Sequence, residues 1–189
     1  MWVFIQNKAE NKRVIPTEYV LGEYLSAGIN DSNGYFFRNT RNALGFTAYL
    51  PERMGRGINI TWIQKNADSI MISLRLPAPD EEIDAFFDMI GRILDFWDAD
   101  ITVGGFSTDR NTLMNGRDKI KARNRAIAER CFNDLFQGKR DHYTLECINT
   151  SLTLGMQEAM RFRGHFDMFI DWLHEKQNMG VQQAFRTFL

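Results

Sequence analysis

The chain has 189 residues, with 23 lysines and arginines against 24 acids, a formal net charge of −1, and 44% hydrophobic residues. That is the make-up of an ordinary globular protein, and it offers no whole-molecule electrostatic case for nucleic acid or an acidic membrane. At this length folding buries about 70% of the unfolded surface, so a single domain over 1–189 needs no metal or disulfide to hold it.

The two cysteines, Cys131 and Cys147, lie in apolar-patterned segments, where a free cysteine acts as a small hydrophobe. No paired-cysteine or His-Glu-x-x-His spacing occurs, so neither a metal nor a cofactor is expected. Met1–Ile5 is too short for a signal-peptide core, and no apolar run approaches the ~20 residues of a spanning helix. A cytoplasmic location without membrane contact is expected.

Residues 1–6 predict a strand that is apolar on both faces, Val3 and Ile5 against Trp2 and Phe4, and so covered on both. Pro16 to about Ser26 predicts a short helix, ended by Gly28 and the Asn30–Gly34 cluster. Tyr35–Arg38 and Gly45–Leu50 are possible strands. The clearest β signal is a hairpin. Ile58, Ile60 and Trp62 alternate with mostly polar residues, as do Ile70, Ile72, Leu74 and Leu76. Matching the two apolar faces sets Trp62 opposite Ile70 and Ile60 opposite Ile72.

A helix follows at once. Pro79 stands at its first turn with Asp80, Glu81 and Glu82 at the positive end of its dipole. Ile83, Phe86, Phe87, Ile90, Leu94 and Trp97 form its inner stripe, and Asp88 is spaced to pair with Arg92. Ile101–Val103 predicts a short strand and Gly104–Thr108 a turn. A second long helix, about 116–136, has Ile120, Ile127, Cys131 and Leu135 inward and Gly138 at its close. Tyr143–Leu154 reads as extended, with a bulge or a switch of face near Ile148. A third helix, about 157–177, carries Ala159, Phe162, Phe166, Phe169, Ile170 and Leu173 inward, and Val181–Leu189 is a terminal helix or docked tail. The fold class is α+β, a mainly antiparallel sheet with three long amphipathic helices packed on it.

Charge is segregated along the chain. Between Asp80 and Asp100 eight acids face one arginine, whereas the 117–130 segment holds six bases against two acids. Arg117, Lys121 and Arg125 share one helical stripe and are the candidate interaction surface. A nucleic-acid reading of the 117–130 basic helix is weaker, because no aromatic residues interleave the stripe.

Gly104, Gly105 and Ser107 could form an anion nest after a strand, but the lysine of a phosphate loop is missing. Arg53 and Arg56 could clamp an anion, and His165 borders an aromatic stripe where a catalytic histidine could sit. His174, close to Asp171 and Glu175, reads as part of an exposed acidic face. Nucleophile motifs are absent, and Glu146 beside Cys147 opposes a thiolate.

The reading is a small cytosolic accessory module of bacterial type, non-enzymatic, that binds another protein. A homo-oligomer is possible. The alternative is a small-ligand binder or enzyme with an anion site near Gly104–Thr108, and nucleic-acid binding stands third.

Overall fold

The computed structural model describes residues 1–10, 13–30, 36–37, 45–63 and 68–186, and their side chains except at 30, 36, 37 and 179–186. In chain order it places β1 (Trp2–Asn7), α1 (Thr17–Leu21), β2 (Ser26–Asn30), β3 (Phe36–Phe37), β4 (Gly45–Tyr49), β5 (Ile58–Ile63) and β6 (Ser69–Leu74). There follow α2 (Asp80–Phe96), β7 (Ala99–Val103), β8 (Phe106–Thr108), α3 (Arg110–Met114) and α4 (Arg117–Phe136). The chain continues through β9 (Tyr143–Leu145), β10 (Leu152–Leu154), α5 (Met156–Phe162) and α6 (Phe166–Arg186).

Eight strands form one sheet in the order β3-β2-β4-β5-β6-β1-β7-β8, every pair antiparallel. The fold is α+β. The β5–β6 register is the one the alternation predicts, Trp62 facing Ile70 and Ile60 facing Ile72. One sheet face, with Val3, Ile5, Ile58, Ile60, Ile70 and Ile72, packs against the Ile83, Phe86, Phe87, Ile90 and Ile93 stripe of α2. A second core lies among α4, the β9–β10 hairpin, α5 and α6, around Phe132, Phe162, Phe169 and Leu173. Tyr49, Met54 and Ile148 form a small cluster of their own.

Several expectations are corrected. The helix expected over 16–26 stops at Leu21, and Ser26–Asn30 is a strand. Gly22 turns the chain at φ +66°, and Arg92 fixes the helix end by donating to the carbonyls of Val20 and Leu21 at 2.9 and 3.1 Å. Arg92 therefore does not serve as the helix-surface partner of Asp88, which pairs with Arg117 at 2.6 Å. The turn after β7 is only Gly104-Gly105, because Phe106–Thr108 is already a strand.

In α4 the inward residues are Asn124, Ala128, Phe132 and Leu135, while Ile120, Ile127 and Cys131 are half-buried. The bulge expected near Ile148 is a loop between two short strands. The third helix is two, broken at Arg163-Gly164, where Gly164 takes φ +77°. α6 runs on to Arg186, beyond the expected 177. The side chains of Phe36, Phe37 and Phe185 and the residues Tyr35, Phe188 and Leu189 lie outside the described set.

Candidate functional site

The acidic and basic segments become α2 and α4, and they pair with each other. Arg117 contacts Asp88 at 2.6 Å and Asp84 at 3.5 Å, Lys121 contacts Asp84 at 2.7 Å, and Arg125 contacts Asp80 at 2.6 Å and Asp167 at 3.4 Å. The stripe expected as an interaction surface is thus occupied within the fold. Each pair is partly exposed, so it contributes about 0–1 kcal/mol and acts mainly to align α4 along α2.

The six ligand-binding candidates fall in three places. Gly104, Gly105 and Ser107 are exposed in the β7–β8 hairpin at one edge of the sheet. Both glycines have positive φ, and a Cβ at either would meet nothing within 4 Å, so the turn is open to solvent with no wall around it. His165 is exposed, next to the α5–α6 break. Arg53 and Arg56 lie in the loop between β4 and β5. Arg53 bridges to Glu81, 4.0 Å from Asp171, and lines a shallow cleft of about 230 Å³ with Asp80, Arg125 and Asp167. Among the described residues no group of three or more His, Cys, Asp or Glu is arranged to hold a metal, and no helix is long and apolar enough to cross a membrane.

The β4–β5 loop does form an anion cradle, but the anion is the protein's own Glu82. Its Oε1 accepts from the Gly57 N–H at 2.9 Å and its Oε2 from the Arg56 N–H at 3.1 Å. Gly55 lets the carboxylate approach, since a Cβ there would sit 2.8 Å from Oε1, and Gly57 takes φ +72°. Glu82 is 1% exposed, and burial pushes its carboxyl up from 4.5 to about 7 against the pull of the amides and of Arg56. The Arg56 guanidinium is buried too, donating to the carbonyls of Glu146 at 3.0 Å and Pro77 at 3.3 Å. Cys147, half-buried beside Arg56 and Glu82, has its thiol pushed up to about 12 by burial.

His174 is buried, not exposed as expected. Its Nδ1 donates to the Met54 carbonyl at 2.8 Å, from a partner 120 residues away that local pattern could not reveal. In the sequence Glu82 stands only as a helix-start carboxylate. Its place three residues after Pro79, on the inward side of the first turn, was the available signal.

The other face of the sheet carries an apolar patch. β1 is fully buried on one side only, against the expectation of cover on both. Val3 and Ile5 are fully buried, whereas Trp2 is 41% exposed and Phe4 is half-buried. Phe4 is in register with Met71 on β6, and Met71 in turn with Thr61 on β5. Met71 and Ile63, each 37% exposed, extend the patch; Thr61, Ser73, Asn59 and Thr102 lie beside it, and the exposed Asp100, in register with Gln6, continues the face at one end.

A family model described as a domain of unknown function, DUF4299, matches residues 1–189. The chain belongs to that family. The DUF4299 match takes in the outer sheet face, the Glu82 cradle and both cores alike. No curated protein and no solved structure matches.

Proposed function

We propose that this protein is a non-enzymatic accessory module that binds another protein through the outer face of its sheet. The observation that carries this reading is the second apolar row of β1. A sheet face that leaves Trp2, Met71 and Ile63 more than a third exposed and Phe4 half-buried gains by being covered with another layer. Tryptophan and other aromatic residues are the side chains that most often dominate such contacts. The apolar side chains with the neutral Thr61, Ser73, Asn59 and Thr102 beside them, and a charge only at the Asp100 end, fit a partner helix with an apolar contact stripe. A charged stripe laid over Trp2, Phe4 and Met71 would lose hydration against apolar side chains.

The experiment is a fluorescence titration. Three amphipathic helical peptides share one leucine stripe and differ in neutral, acidic or basic flanks. The neutral peptide, carrying a fluorescent label read by anisotropy, should bind saturably, and Trp2→Asp should abolish binding while leaving the thermal melt in place. Equal binding by the Trp2→Asp variant, or no saturable binding by any of the three, overturns the reading. Steep, salt-sensitive binding of an oligonucleotide instead would favour the nucleic-acid alternative.

A further inference from the structure

The outward flank of α2 and the α1–β2 connection frame a groove of about 220 Å³. Leu21, Leu25, Leu50 and Ala85 give it apolar walls. Tyr24 lines it too, is 77% exposed, and makes no hydrogen bond or ring contact among the described residues. The space is smaller than the roughly 300–1,000 Å³ of a small-molecule pocket, and it suits one or two apolar side chains presented by another chain.

The rim is acidic. Glu81, Asp84 and Asp88 share one side of α2, at spacings of three and four residues. Asp84 gives both oxygens to Lys121, but Glu81 and Asp88 use one each, on Arg53 and Arg117. Glu81 Oε2 and Asp88 Oδ2 therefore make no hydrogen bond among the described residues. The two residues lie about 10 Å apart along the helix axis. Arg92, the one cation among the lining residues, is turned to the Val20 and Leu21 carbonyls. Glu23 and Glu52, exposed and within two residues of Tyr24 and Leu50, add negative charge.

We propose that this groove docks an amphipathic helix of another protein, one that carries two lysines or arginines seven residues apart and large apolar residues three and four positions after the first. Those four positions share one face of a helix. The apolar pair enters between Leu21 and Ala85 under Tyr24, and the two cations match the span from Glu81 to Asp88. Tyrosine is among the side chains that most often anchor such contacts, and the acids set polarity and register. Arg123 and Arg130 of α4 are also exposed and seven apart. Ala126 between them is too small to fill the groove and Ile127 is half-buried, so a second copy of this chain is not the occupant. α2 packs on the sheet face opposite Trp2 and Phe4, so this surface is separate from the outer sheet patch.

A labelled helical peptide with lysines seven apart around a leucine pair, titrated with the whole chain and read by anisotropy, tests this. It should bind saturably. Exchanging both lysines for glutamate, or both leucines for serine, should weaken binding about 10-fold or more. Tyr24→Ala should do the same with its thermal melt in place. Glu81→Gln with Asp88→Asn should weaken binding about 5-fold and flatten its salt dependence. Trp2→Asp, on the outer sheet face, and Asp98→Asn, in a separate acidic stretch, should bind as the wild type does. Absence of saturable binding, equal binding of the glutamate peptide, or wild-type affinity in the Tyr24 variant or the Glu81 and Asp88 variant overturns the proposal. Loss of binding in Trp2→Asp places the peptide on the outer sheet instead and overturns it too. Self-association of the wild type that Tyr24→Ala abolishes would make the occupant a second copy and overturn the choice of partner.

Discussion

Asn124 and Ala78 exchange two hydrogen bonds: Asn124 Nδ2 donates to the Ala78 carbonyl at 2.7 Å, and the Ala78 N–H donates to Asn124 Oδ1 at 2.9 Å. Both residues are fully buried. A side-chain amide that matches one backbone amide donor-for-acceptor fixes the rotation of α4 about its axis, which is why Ala128, Phe132 and Leu135 face inward and Ile127 stands at the margin. Asn124→Ala leaves a buried N–H and C=O unpaired and should cost about 2–4 kcal/mol in urea unfolding. A loss under about 0.5 kcal/mol would mean the exchange is not made in solution.

The two cores should respond to truncation. Phe87 is fully buried and meets Phe86 edge-on at 5.6 Å between ring centres, so Phe87→Ala should destabilise by about 3–5 kcal/mol. Phe166 is 8% exposed with the Arg125 guanidinium 4.7 Å above its ring, so Phe166→Ala should fall at the lower end of that range. Thermal melts of both variants check this, and an unchanged midpoint would contradict the packing.

The α2–α4 ion pairs should contribute little each. Lys121→Ala removes a contact between side chains 26% and 39% exposed and should cost no more than about 1 kcal/mol, less at high salt. The exchange Asp84→Lys with Lys121→Asp should recover part of the loss left by Asp84→Lys alone, the remainder being the contact of Asp84 with Arg117. Denaturant titration at low and high salt measures both effects, and a salt-independent loss of several kcal/mol would place Lys121 in a buried network.

Cys147 should be inert in the native state. With its thiol pushed up to about 12 by burial, against the pull of Arg56, little thiolate exists at pH 8. Alkylation followed by mass spectrometry should be slower than in the unfolded chain by roughly 100-fold or more. Native reactivity like that of a free thiol would contradict the burial.

The β5–β6 register and the inner stripe of α2 were legible because strongly apolar residues mark one face at an unbroken period of 2 or 3.6. The break at Gly164 was hidden for the same reason. Phe162 ends α5 and Phe166 begins α6, both face one core, and the stripe crosses the turn without interruption. The inward face of α4 was misjudged because Asn124 and Ala128 carry no strong apolar signal. The Glu82 cradle and the His174–Met54 bond depend on partners 25 or more residues apart, which periodicity does not encode. The outer sheet patch was half legible. Trp2 and Phe4 mark the second apolar row of β1, and the pattern implies a full cover for that row, whereas Trp2 is 41% exposed and Phe4 half-buried.

Methionine-methyl NMR during titration with the neutral amphipathic peptide tests that surface most directly. The nine methionines place reporters in distinct settings: Met71 on the outer sheet face, Met54 and Met89 buried, Met156 and Met160 exposed on α5. Docking on the sheet should shift the Met71 methyl saturably and leave Met54, Met89, Met156 and Met160 in place. Shifts confined to the α5 methionines, or spread evenly over all nine, would contradict it.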